Sequence, residues 1–130
     1  MANNDTDNII NEFMNLDVCL HDNNHVGALA ALTKIINYLK RKLRKDNAAE
    51  KQQIVYNMMK RIYLNFENGY YKDVVDDFNF LIELGETVDK NKDLFIMKEH
   101  AFIETIMKDL TSRFEQAQVE CKLSIMILQQ

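Results

Sequence analysis

An all-α fold follows from three features of the amino-acid sequence. The 130 residues include no proline and only three glycines, so the commonest helix breakers are nearly absent. Apolar residues recur at intervals of three and four over most of the chain, the period of a helix with one apolar face. The interruptions between these runs are short and polar, and hold residues that stop or cap helices. With 47% apolar and 28% charged residues the composition is that of an ordinary globular domain able to bury one core.

Taken in order, residues 1–8 carry no helical apolar pattern and are expected to form a tail, with Asp5, Thr6 or Asp7 available as a cap. A first helix then uses Ile9, Phe13, Leu16 and Leu20, and HDNNH at 21–25 ends it and caps the next. The second, about Val26 to Lys45, places Ala28, Leu32, Ile35, Ile36, Leu39 and Leu43 on one face and most of its lysines on the rest. After KDNAAEK, a third from about Ala48 to Asn68 carries Ile54, Met58, Ile62 and Phe66, with Gly69 placed to end it. The fourth spans about Tyr71 to Leu84 and stops at Gly85, and ETVDKNKD at 86–93 reads as a polar connector.

From Leu94 to about Leu128 nothing interrupts a fifth helix. Its roughly 35 residues would extend about 52 Å, against about 20 to 30 Å for the other four. The expected architecture is therefore one domain: hairpin one at 9–45, hairpin two at 48–85, and a long helix at 94–128. These form a five-helix bundle of two stacked antiparallel hairpins plus the C-terminal helix.

A shift of 46 positions lays the first hairpin on the second. Leu16 falls on Ile62, Leu20 on Phe66, Asn23 on Gly69, Ala28 on Val74, Leu32 on Phe78, Ile35 on Leu81 and Ile36 on Ile82. The segment GYYKDVVDDFNFLIEL, with Gly69, Tyr71, Val74, Phe78, Leu81 and Ile82, resembles the turn and second helix of a tetratricopeptide repeat. The earlier copy matches through Asn23, His25, Ala28, Leu32, Ile35 and Ile36. The spacing exceeds the family's repeat of about 34 residues, no proline closes either hairpin, and the first helices lack the family's tryptophan and Leu-Gly pair. The resemblance implies stacked hairpins that offer a groove to a peptide or helix of another protein.

Candidate chemistry is sparse. Cys19, His21, Asp22 and His25 could be read as metal ligands, but the positions 46 residues later are Asn65, Glu67, Asn68 and Tyr71, so only turn character is repeated. No second ligand pair lies nearby, and His100 and Cys121 would have to arrive by folding. No metal and no cofactor is expected. Nor is an enzyme: Ser112 and Ser124 sit within the last helix, the histidines show no motif, and there is no glycine-rich phosphate loop. Asp73, Asp76 and Asp77 read as a solvated, dipole-complementing helix start.

Two interaction surfaces remain. In the fifth helix Ile103, Met107, Leu110, Phe114, Ala117, Cys121, Ser124 and Leu128 follow alternating steps of four and three, the seam of a left-handed helix pair. Glu104, Lys108, Arg113, Glu115, Glu120 and Lys122 lie outside it, and Ile106, Ile125, Met126 and Ile127 widen the stripe. The same stripe would serve packing within the chain. An overhanging helix would instead hide it by self-association, most simply as a homodimer.

The second surface is LKRKLRK, with Lys40, Arg41, Lys42, Arg44 and Lys45 and the nearby Lys34, Lys60 and Arg61. It suits an acidic protein partner or, as the alternative reading, the phosphates of nucleic acid. The net charge of −4 and the want of interleaved aromatic residues favour the first. No run reaches the roughly 18 to 20 apolar residues of a membrane span, and two distant cysteines without a leader-like start suit a reducing, cytoplasmic setting. The function expected is a noncatalytic, adaptor or chaperone-like module that binds a helical segment of another protein and self-associates.

Overall fold

A computed structural model describes the backbone of residues 2–44 and 46–130, and the side chains of 7–44 and 46–130. Five α-helices follow one another: α1 (Ala2–His21), α2 (His25–Lys42), α3 (Ala48–Glu67), α4 (Tyr71–Glu83) and α5 (Lys92–Leu128). A single 3-10 turn at Val88–Lys90 precedes α5, and there is no strand among the described residues. The fold is all-α, as the periodicity predicts. Each helix packs on its neighbours in sequence, so the chain is built as two stacked hairpins followed by a single helix.

Local chemistry sets the boundaries. Asn24, Asn47 and Asn91 cap α2, α3 and α5, their side-chain oxygens accepting the backbone N–H of Gly27, Glu50, and both Asp93 and Leu94. Helices α1, α3 and α4 end on one device. Asn23, Gly69 and Gly85 have φ of 56°, 76° and 91°. The following N–H of Asn24, Tyr70 and Glu86 reaches back to the carbonyls of Cys19, Asn65 and Leu81, at 2.8, 2.9 and 3.1 Å. This left-handed stop satisfies carbonyls that the helix end leaves open.

The 46-residue correspondence therefore extends to geometry. Asn23 and Gly69 occupy the same place in the same turn. Leu16, Ala28, Leu32 and Ile35 are buried, as are Ile62, Val74, Phe78 and Leu81. Two further pairs were not among the apolar matches: Cys19 with Asn65, and Ala31 with Asp77, all four buried. One match departs. Ile36 is fully buried but Ile82 is 46% exposed, because hairpin two covers Ile36 whereas only α5 follows Ile82.

The core has two parts. Leu16, Cys19, Ala28, Ala31, Leu32 and Ile35 close the first hairpin, with Leu64 of α3 joining them. The larger part gathers Ile36, Met58, Ile62, Phe78 and Leu81 with Val88 and Ala101. The stack is pinned at its turns, where the Asn68 side chain meets His25 Nδ1 at 3.0 Å, and along its length by Arg61. The Arg61 guanidinium donates to Asp77 at 2.8 and 2.6 Å and to Thr33 Oγ1 at 3.3 Å, linking α3 to α4 and to α2.

Several expectations are corrected. Residues 2–8 are not a tail but the first two turns of α1. No breaker in the sequence separates them from the anchored turns around Leu16, so the helix extends N-terminally. Helix α2 ends at Lys42, three residues early, where the Arg44 backbone N–H turns to donate to Glu50 at 2.7 Å. The polar connector 86–93 is partly core, since Val88 is buried. Asp89 also holds Lys98 of α5 at 2.7 Å.

Candidate interaction surface

Helix α5 is attached by one end. Leu94 and Met97 pack on the core, Ala101 is fully buried, and Phe66, Tyr71 and His100 meet edge to face with centroids 5.4 to 5.6 Å apart. Thr105 is the last half-buried residue. Beyond it every residue to the end of the helix is exposed, and these 23 residues project about 34 Å at the usual helical rise. The overhang predicted from length is present.

The seam residues of the sequence reading all lie on exposed helix. Leu110 is 53% exposed, Phe114 64% and Leu128 85%, and Ile103, Met107, Ala117, Cys121 and Ser124 are exposed as well. None of them packs into the core of the chain. The face is also the reverse of the anchored one. Nine residues at about 100° each put Leu110 half a turn from Ala101, so the stripe points away from α1–α4. Around it lie an Asp109–Arg113 pair at 3.1 Å and a Gln116–Glu120 hydrogen bond at 3.2 Å.

The cations of the basic run are dispersed rather than gathered. Lys40 Nζ sits 3.9 Å above the Phe80 ring, Lys42 lies 5.7 Å from Tyr38, and Lys60 4.6 Å from Tyr56. Lys34 pairs with Glu12 at 3.4 Å and Arg44 with Glu50 at 2.9 Å. The Arg44 backbone N–H and guanidinium together hold the Glu50 carboxyl below the usual carboxylate range. Arg61 is spent on Asp77. Arg41 is exposed, and Lys45 lies outside the described residues. Phe80, Tyr38 and Tyr56 thus lie beside these cations, each engaged by a neighbouring ammonium.

At the first turn Cys19 is buried and its sulfur lies 3.7 Å from Asn15 Oδ1 and 3.8 Å from the Asn24 amide. His25 faces Asn68, and no three His, Cys, Asp or Glu side chains gather as a ligand set among the described residues. The acidic set is not uniformly solvated either. Asp76 pairs with Lys72 on the surface, but Asp77 is only 6% exposed and forms the bidentate pair with Arg61. Its partner lies 16 residues away on the preceding helix, which no local pattern reveals.

Sequence reasoning also missed a groove of about 460 Å³ between α1, α2 and α3. Phe13, Tyr38, Leu39 and Tyr56 supply apolar walls, with Asn57 among the lining residues. The Asn57 amide donates to the Gln53 carbonyl at 2.8 Å, while its buried Oδ1 has no partner. A second cleft of about 710 Å³, between α2, α3 and α4, is lined by Lys34, Arg61, Asp73, Asp76 and Asp77. No helix among the described residues is long and apolar enough to cross a membrane. No family model matches the chain, and neither a curated protein nor a solved structure matches it.

Proposed function

We propose that the protein is a noncatalytic interaction module, adaptor or chaperone-like, whose projecting α5 associates with a second copy while the hairpins receive a helical segment of another protein. The observation that carries this reading is the apolar stripe of α5, which none of the described residues covers. A stripe from Ile103 to Leu128 is far more continuous than scattered surface apolar residues, and water exposure is its least favourable state. The groove with Phe13, Tyr38 and Tyr56 suits the partner segment, its aromatic walls giving apolar area. The common turn at Asn23 and Gly69 and the shared buried positions support a reading as two similar stacked hairpins. Two free thiols, one of them on the exposed Cys121, suit a reducing cytoplasm.

Leu110→Asp tests the reading. Because Leu110 is 53% exposed and joins neither core cluster among the described residues, the variant is expected to retain the wild-type helicity and unfolding midpoint, yet change from dimer to monomer by light scattering. A wild-type chain that is already monomeric would remove the self-association claim.

A further inference from the structure

The stripe on α5 is graded in size along its length. Its first half holds the large residues Ile103, Met107, Leu110 and Phe114, and the next three positions, Ala117, Cys121 and Ser124, are small. In the heptad notation of paired helices, Met107, Phe114 and Cys121 take a positions, and Leu110, Ala117 and Ser124 take d positions. A parallel, in-register pair would stack each residue on itself. It would crowd two Phe114 rings in one layer and leave three consecutive layers of small side chains.

An antiparallel pair centred between Glu115 and Gln116 does the reverse. Phe114 then lies opposite Ala117 of the second copy, Leu110 opposite Cys121, and Met107 opposite Ser124, so each of these layers sets a large residue against a small one, while Ile103 meets Leu128 at either end. Charge agrees. Arg113 and Glu120 hold g positions, which face each other only when the helices run antiparallel, and the twofold axis makes that opposite-charge pair twice. In the parallel arrangement Arg113 would face Gln118 and Glu120 would face Ile125.

Resting on the self-association proposed above, we infer that the occupant of the α5 stripe is a second copy of this chain, running antiparallel and centred at residues 115–116. The anchored face of α5 lies half a turn away, so the two hairpin bodies sit at opposite ends of the pair on faces turned from the seam. The matched length, from Ile103 to Leu128, is more than three heptads, enough for a paired-helix seam.

Disulfide formation in the full-length chain under oxidised glutathione reads the direction. In the antiparallel pair the two Cys121 residues are about 16 Å apart along the axis, beyond disulfide reach, whereas positions 110 and 121 share a layer. Cys19 is buried and takes no part. The native chain is expected to stay uncrosslinked, Leu110→Cys to give a covalent dimer, and Leu110→Cys combined with Cys121→Ser to lose it. Crosslinking of the native chain, and of the double variant, would establish a parallel pair and overturn the direction while leaving self-association intact. A dimer by light scattering with no crosslink in any variant would place the interface elsewhere and overturn the seam. A monomer by light scattering would overturn both the inference and the self-association beneath it.

Discussion

At the residue scale, two kinds of position decide whether the hairpins close. Asn23 and Gly69 take the left-handed backbone that lets α1 and α3 end and the chain reverse. Asparagine tolerates that conformation and glycine adopts it freely, whereas alanine is strained there. Asn23→Ala and Gly69→Ala are each expected to cost about 1 kcal/mol in urea unfolding, and Asn23→Gly to be neutral or slightly stabilising. The other kind is the buried ion pair. Removing Asp77 leaves the Arg61 guanidinium, largely enclosed, without its two strongest bonds. Asp77→Ala is expected to cost about 3 to 5 kcal/mol, and the double replacement Arg61→Met with Asp77→Leu to recover most of it. Asp76→Ala, which removes only an exposed pair with Lys72, is expected to change stability by less than about 0.5 kcal/mol.

At the element scale, what could be read in the sequence is what local chemistry specifies. The four interior breaks carry Asn, Gly or polar runs that act within four residues of where they stand, so HDNNH, KDNAAEK and ENG each mark a real helix end. The exposed apolar stripe of α5 was legible because it needs only a period. What was not legible depends on distance in space. Asp77 reads as one of three similar aspartates until Arg61 arrives from α3, Val88 as part of a polar connector until α5 folds over it, and Lys40 as a free cation until Phe80 comes under it. The expected tail failed for another reason: residues 2–8 have no apolar pattern, and a helix already formed downstream needs none to continue. The groove bordered by Phe13 and Tyr56 joins residues of α1 and α3, so it exists only once the two hairpins stack.

At the scale of the whole molecule, the chain divides its surface between a body that satisfies itself and a projection that does not. Helices α1 to α4 and the first turns of α5 bury two connected apolar clusters, and the stacked arrangement needs no further element. The last 23 residues of α5 add no core and expose a continuous apolar stripe on the side turned away from the body. Such a division suits a protein whose assembly can change without its body unfolding. The most direct measurement is the solution mass of the full-length chain beside one ending at Gln116, by light scattering on a sizing column, with helicity recorded for both. Self-association through α5 gives a full-length dimer and a truncated monomer whose body unfolds at the same midpoint. A full-length monomer, or a truncated chain that remains dimeric, would contradict it.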